Sequence, residues 1–137
     1  PLPFSSQGPC FWEGVEFFSD YPKDKPLGKP DLTAFPTGYP VWNVTGSHRL
    51  RPGWKEVSKD QGASLVVGPA GNSFSGPHCA GVAALVFSDN PAINSWEVSE
   101  ILQETAKDLG PKGRDNVYGA GLIDALAAVR AAKKKKN

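Results

Sequence analysis

One serine of this chain lies where a glycine-containing turn meets an apolar segment. The run GNSFSGPH, residues 71–78, places Ser73 just before Pro77–Phe87, which consists almost entirely of small or apolar residues. The first N–H groups of a helix have no partner inside it, and with the helix dipole they favour nearby negative charge. Such charge develops in acyl transfer, so a serine at this point could act as a nucleophile.

Simpler interpretations of the same run remain open. Serine often caps a helix, and on spacing alone the favoured role of Ser73 is that of a cap. The pattern G-x-S-x-S also lacks the second glycine of the nucleophile elbow, which disfavours an α/β-hydrolase fold. His78 follows at a spacing that turns two helical side chains about 140° apart. We therefore expect His78 to be a buried, hydrogen-bonded helix residue and not a base for Ser73.

Short strands and one long loop are predicted before the serine. The extended segments are Leu32–Phe35, Val41–Val44 and Ser64–Val67, the last of which ends at a Gly-Pro-Ala-Gly cluster. Residues 45–62 are polar and contain glycine, proline and several charges, so they are predicted to form a surface loop.

Helices are predicted in the C-terminal half. Pro77–Phe87 is apolar around its whole circumference, which is typical of a helix that is buried on all sides or packed closely against a sheet. Asn94 and Glu97 have the spacing of a capping box and predict a second helix to about Ala106. A third is predicted over Leu122–Ala132. Strands followed by helices favour an α/β layered fold.

Composition and charge exclude several classes of protein. The 137 residues suit one domain, and 15 glycines with 13 prolines argue against a helical bundle or coiled coil. Lys133–Lys136 supply four of 15 basic residues, which leaves 11 basic against 14 acidic residues in the rest of the chain. That balance is poor for nucleic-acid binding, and residues 133–137 are interpreted as a solvated, frayed basic tail. No apolar run approaches the roughly 20 residues of a membrane span.

Two cysteines are the only thiols in the sequence. Cys10 and Cys79 cannot form a metal site by themselves and have no C-x-x-C spacing. Cys79 is predicted to be a small buried apolar residue. A disulfide between the two is an open alternative, and so is the redox compartment.

Four blocks of the sequence resemble those of subtilisin-like serine proteases, the subtilases. Residues 71–85 resemble the serine signature G-T-S-M-A-x-P-H-x-A-G-x-x-A-L. The other blocks are FSSQGP at residues 4–9, KPDLTA at residues 29–34 and YGAGLIDA at residues 118–125. They occur in the family's order, so residues 1–132 are similar to the C-terminal portion of a subtilase catalytic domain.

The resemblance implies a fold, a reaction and a location. The fold is a parallel sheet flanked by helices, with Ser73 as nucleophile of a Ser-His-Asp triad. The Ser73 Oγ would attack a peptide carbonyl, and its N–H would donate to the oxyanion. A serine endopeptidase of this kind acts on peptides or proteins outside the cell and needs no cofactor. Structural calcium is common in the family, but no residue of this chain can be assigned to it.

The chain also departs from the family pattern. No aspartate is followed by Ser/Thr-Gly and no histidine begins H-G-T, so the other two triad blocks are absent and His48 receives no catalytic role. Phe74 stands at the usual methionine position. The chain starts with Pro1 and has no methionine, so we expect a piece of a longer precursor whose N-terminal part is its partner. Alone it should be inactive, and it should pair or aggregate through exposed apolar surfaces.

Two other functions compete with the endopeptidase. The first is a non-catalytic pseudoprotease, or a structural or binding segment, that acts by associating with another chain. The second is a serine hydrolase of another fold. The upstream sequence of the precursor discriminates between the endopeptidase and the non-catalytic segment, because only the former requires intact aspartate and histidine blocks.

Overall fold

The computed structural model of the chain describes residues 2–10, 27–36, 40–43, 52–60 and 63–135. The strands are β1 (Val41–Asn43), β2 (Lys55–Asp60) and β3 (Ala63–Val67). The helices are α1 (Asn72–Asp89), α2 (Ser95–Glu104) and α3 (Ala125–Lys135). The mixture of strands and helices confirms the α/β class.

The three described strands form an antiparallel sheet in the order β1-β3-β2. The central strand β3 buries alternate side chains, because Ser64 is 5% exposed and Val66 is wholly buried. The parallel sheet implied by the resemblance is not found among these strands. Parallel pairing occurs only as an isolated bridge between Thr33 and Leu122 in the described part of the chain.

The strand predictions are correct for β1 and β3 and wrong elsewhere. Residues 45–62 are predicted as a loop, but β2 occupies part of that range. Strand β2 pairs with β3 through its main chain, and Val57 on it is 53% exposed. Because this pairing needs no buried face, the strand can form from a polar, charged sequence. Leu32–Phe35 forms only the single bridge at Thr33. Val44 lies outside the described residues.

One face of α1 is covered and the other is exposed. The covered stripe consists of positions 75, 78, 79, 82, 83 and 86. The exposed stripe consists of positions 73, 76, 77, 80, 81, 84, 85 and 88. Val86 is wholly buried, whereas Leu85 on the exposed stripe is 54% exposed. The prediction of a helix buried on all sides is therefore wrong for this chain, since no element of the described residues covers the second face.

The second helix begins as its sequence predicts. Asn94 Oδ1 accepts hydrogen bonds from the N–H groups of Trp96 and Glu97, each at 3.0 Å. The Asn94 N–H in turn donates to Glu97 Oε2 at 3.0 Å, which completes the capping box. Behind this cap, α2 places Ile101 in a buried cluster that also contains Val86 of α1 and Ala132 of α3.

The third helix begins later than predicted. Leu122 exchanges main-chain hydrogen bonds with Lys107, which hold it in an extended conformation. Asp124 then caps the helix, because its Oδ1 accepts from the Ala127 N–H at 2.8 Å. The first helical residue is accordingly Ala125.

The lysine-rich end of the chain is partly helical. Helix α3 continues to Lys135, whose Nζ lies 4.0 Å from Glu100 Oε2 of α2. The prediction of a frayed tail is therefore wrong for residues 133–135, because they extend an established helix and carry positive charge at its C-terminal end. Across the described residues, no helix has the length and apolarity that crossing a membrane requires.

Candidate functional site

Ser73 is the second residue of α1 and does not cap it. The N-cap is Gly71, which has φ 139° and makes no side-chain capping hydrogen bond. That φ lies in the region that favours glycine, so the turn into the helix depends on this residue. The interpretation of Ser73 as a helix cap is therefore wrong, and its hydroxyl has no role in holding the end of the helix.

The surroundings of Ser73 leave its polar atoms available. The side chain is exposed, and neither its Oγ nor its N–H makes a hydrogen bond within the described residues. The first turn of α1 carries no acidic residue that would offset the positive end of the helix dipole. Pro77 has no N–H, so the Ser73 carbonyl lacks the usual donor four residues ahead. A negatively charged oxygen beside Ser73 would meet a free N–H and a favourable dipole.

His78 lies on the other side of the helix from Ser73. Its Nδ1 is 3.2 Å from the Phe35 carbonyl oxygen, and its ring contacts the Phe35 ring edge-on at 6.2 Å between centroids. The predicted hydrogen-bonded histidine is confirmed, although the side chain is half-buried rather than buried. His48 lies outside the described residues. No histidine in the described part of the chain is thus placed to take a proton from Ser73.

Main-chain hydrogen bonds join two of the four sequence blocks, residues 29–34 and 118–125. The Thr33 N–H donates to Gly121 O at 2.8 Å, and the Ile123 N–H donates to Thr33 O at 2.9 Å. Gly119 has φ 63°, and a Cβ there would overlap the carbonyl oxygen of Pro30. Glycine is therefore required at position 119 for two reasons: the backbone of residues 30–31 lies too close for a Cβ, and the positive φ disfavours other residues.

The other two blocks attach to the same framework. The Gly8 N–H donates to Asn116 O at 2.8 Å, and a Cβ on Gly8 would collide with Lys29 O. The Gly71 N–H donates to Pro36 O at 3.0 Å, which ties the turn before Ser73 to the end of residues 29–34. All four blocks therefore belong to one packed unit that fixes where α1 begins.

Arg114 is a residue that the sequence analysis missed. Its guanidinium donates to the carbonyl oxygens of Gly28 and Pro30 at 3.1 and 3.3 Å. It also donates to Asp31 Oδ1 at 3.1 Å and to Gln103 Oε1 of α2. No motif marks this arginine, because its partners are mostly backbone carbonyls that any sequence provides.

The contacts of Asp31 with Lys29 and Arg114 also lower its pKa. Partial burial by itself would raise the pKa of this carboxyl, but hydrogen bonds and charge from Lys29 and Arg114 outweigh it, so the pKa lies below 3.8. Lys29 Nζ is 2.5 Å from Asp31 Oδ2. Asp31 is therefore a structural anion that holds residues 27–31 together, and it does not line a reactive site beside Ser73.

Two cavities lie between α1, residues 27–36 and residues 2–10. One of about 440 Å³ is mostly apolar and reaches Asn72 and Gly76, and one of about 500 Å³ is lined by both Cys10 and Cys79. Ser73 lines neither cavity. Burial raises the pKa of the Cys79 thiol, although its side chain is half-buried rather than fully buried as predicted. Both thiols are free.

The described residues contain no cluster of three or more His, Cys, Asp or Glu that could hold a metal ion. The calcium that the resemblance implies for a longer protein therefore stays unassigned. The reactive groups at the start of α1 are therefore the Ser73 hydroxyl, the N–H groups beside it and the positive end of the helix dipole.

The sequence matches a model of the Subtilase family over residues 2–121. Bacillopeptidase F of Bacillus subtilis (strain 168) is 37% identical over 122 residues, which cover 82% of this chain and 8% of that protein. The M-protease of Shouchella clausii (strain KSM-K16) is 45% identical over 60 residues, 44% of this chain and 15% of the relative. The extracellular serine protease of Serratia marcescens is 34% identical over 64 residues, 47% of this chain and 6% of the relative.

A solved structure also overlaps part of the chain. The psychrophilic subtilisin-like protease Apa1 from Pseudoalteromonas sp. AS-11 aligns with a TM-score of 0.45 and 35% identity, over 53% of this chain and 20% of the other. The chain thus spans a fifth or less of each of these proteins.

Proposed function

The chain belongs to the subtilase family, and on that basis we propose that it is the nucleophile-bearing part of a serine endopeptidase, with Ser73 as the nucleophile. The observation that carries the proposal is the state of Ser73 at the start of α1. Its hydroxyl and N–H are exposed and without partners among the described residues, at the positive end of an 18-residue helix.

The reaction then follows the triad mechanism. Ser73 Oγ attacks the peptide carbonyl while a histidine takes its proton, and the Ser73 N–H donates to the oxyanion. The tetrahedral intermediate collapses to an acyl-ester and releases the amine, which receives the proton from the histidine. Water then hydrolyses the ester by the same route. The histidine and its aspartate come from the N-terminal part of the same precursor, so this chain alone is inactive.

The exposed stripe of α1 is where that N-terminal part would pack. Four of its positions are Gly or Ala, namely Gly76, Ala80, Gly81 and Ala84. A Cβ added at Gly76 or Gly81 would meet nothing within 4 Å, so nothing in the described chain requires glycine there. Small residues allow another backbone to approach closely, and the 60 residues matched to the M-protease cover 15% of that relative, so a longer parent of similar size would have chain to cover this face.

Substrate and location follow from the same proposal. The substrates are peptides or proteins, and the catalytic step uses no cofactor. An extracellular site of action is supported by the relative from Serratia marcescens, whose name describes it as an extracellular serine protease. Neither of the two described cavities is lined by Ser73, so neither is proposed as the substrate pocket.

Co-expression of this chain with the upstream part of its precursor tests the proposal. The assembled protein should hydrolyse a peptide substrate, and Ser73→Ala should lower kcat by at least about a thousandfold with little change in KM. Ser99→Ala, an exposed serine of α2, is the matched control and should retain full activity.

Two results would contradict the proposal. Activity that survives Ser73→Ala would remove the serine from the reaction. An assembled, folded protein that hydrolyses no peptide would instead favour the non-catalytic alternative, in which the chain acts through association alone.

A further inference from the structure

The two cysteines are far apart in sequence but line the same cavity. Cys10 lies in the N-terminal segment, residues 2–10, and Cys79 lies on the covered face of α1, two turns after Asn72 on the same side of the helix. We propose that Cys10 and Cys79 form a modification site, an intramolecular disulfide that fastens the N-terminal segment to the helix that carries Ser73. This inference is independent of the proposed catalysis, because it concerns the covered face of α1.

The surroundings of each thiol favour this pairing. Cys10 is held in place by two main-chain hydrogen bonds with Leu27, at 2.8 and 3.1 Å. The cavity between the segments has a volume of about 500 Å³, and both cysteines line it. The sequence contains no third cysteine, so an intramolecular disulfide can join only these two.

The reaction is thiol–disulfide exchange with a small organic disulfide, such as oxidised glutathione. The Cys10 thiolate attacks one sulfur of the small disulfide, forms a mixed disulfide and releases one small thiolate. Cys79 then gives its proton to solvent, attacks the Cys10 sulfur and displaces the second small thiolate. Two protein thiols are oxidised to one disulfide, and one small disulfide is reduced to two small thiols.

The second step depends on the shared cavity. Burial raises the pKa of the Cys79 thiol, so this thiol is mostly protonated at neutral pH and gains reactivity from a disulfide held next to it. Once Cys10 carries the mixed disulfide, the high local concentration of the Cys79 thiol in the shared cavity compensates for the small fraction of it that is a thiolate. Cys79 therefore acts as the resolving cysteine.

The bond would constrain the part of the fold that positions Ser73. Residues 2–10 contact the framework through a small number of hydrogen bonds, among them Gly8 N–H to Asn116 O. A covalent link to α1 would hold this segment against the helix and close a loop that contains all three strands of the described sheet. An extracellular protein meets oxidising conditions in which such a bond persists.

The experiment follows the mass of the 137-residue chain during incubation with oxidised glutathione. In native buffer, the expected product has lost two hydrogen atoms and carries no glutathione. In concentrated urea, where the cavity is absent, the mixed disulfide should persist and ring closure should be at least about tenfold slower, because the effective concentration of the second thiol falls. The Cys79→Ala variant is the matched control and should retain one glutathione in both buffers.

Two outcomes would overturn the inference. The first is a wild-type chain that retains glutathione in native buffer for as long as Cys79→Ala does. The second is ring closure at the same rate in native buffer and in urea, because the fold would then contribute nothing. Circular dichroism of the Cys79→Ala variant establishes that it folds, and Cys10→Ala provides a second variant whose substitution lies outside the helix.

Discussion

Removal of the Arg114 guanidinium should destabilise the chain more than its exposed position suggests. The ion pair with Asp31 contributes about 0.5 kcal/mol, since the two side chains are 41% and 48% exposed. The same Nη2 also faces Gly28 O and Pro30 O, and its second N–H is shared between these two carbonyls, which adds about 1 kcal/mol for a charged donor. The free energy of unfolding should therefore fall by about 1.5 kcal/mol in Arg114→Ala.

Urea denaturation followed by circular dichroism measures this change. The midpoint should move to lower urea with an unchanged slope. Arg114→Lys retains the charge but not the planar fork, so it should lose about half as much. Arg130→Ala is the matched control: this arginine of α3 is exposed and has no hydrogen bond or ion pair with the described residues, and its loss should change stability by less than about 0.5 kcal/mol.

Equal midpoints for Arg114→Ala and Arg130→Ala would refute the reasoning. Arg114 would then be a solvated surface charge, and the carbonyls of Gly28 and Pro30 would be satisfied equally well by water. The packed unit that fixes the start of α1 would need another explanation.

Three further predictions follow from individual residues. The pKa of Asp31 is lower in the folded chain than in the unfolded one, so its charged form stabilises the fold above the ordinary pKa of an aspartate. The stability advantage of wild type over Asp31→Asn should therefore shrink as the pH falls through the lowered pKa in acid titrations of unfolding. An advantage that grows in acid would contradict this. Pro77→Ala restores an N–H donor for the Ser73 carbonyl, so the free energy of unfolding measured by urea denaturation should rise by about 1–3 kcal/mol. A loss of stability would show that the proline ring is needed. A Cβ added at Gly81 meets nothing within 4 Å, so Gly81→Leu should leave the thermal unfolding of this chain alone unchanged or slightly improved. The same substitution should abolish co-purification with the upstream part. Intact co-purification would place the contact elsewhere.

The sequence was sufficient for features that depend on local chemistry. The capping box at Asn94 and Glu97 is fully satisfied, and β3 lies where the apolar run places it. The turn before α1 also requires glycine at Gly71, as its position between a strand and a helix suggests. In each case neighbouring residues determine the conformation, so a short window contains the necessary information.

Features that depend on distant contacts could not be predicted. Strand β2 has a polar sequence and forms because β3 offers its main chain as a partner. The start of α3 is delayed because Leu122 is held by Lys107 and Thr33, far from it in sequence. The cavity shared by Cys10 and Cys79 depends on three separate segments, so no spacing in the sequence indicates it.

The site was predictable in one respect and not in another. The glycine turn and the apolar segment predicted Ser73 next to a helix over Pro77–Phe87, and spacing alone favoured a capping role. The helix in fact begins at Asn72 and includes Ser73. The cap falls to Gly71 because the helix begins one residue before Ser73, and the Gly71 N–H donates to Pro36 O outside the helix. The register of the helix therefore decides whether this serine caps the helix or leaves its hydroxyl without a partner among the described residues.

Covalent labelling of the intact precursor with a fluorophosphonate tests the central claim most directly. A serine activated by a neighbouring base should take up the phosphonyl group, and mass spectrometry should find the adduct on the peptide that contains Ser73. Labelling should disappear in Ser73→Ala and remain in Ser99→Ala. An adduct on any other residue, or equal labelling of wild type and Ser73→Ala, would contradict the assignment of Ser73 as the nucleophile.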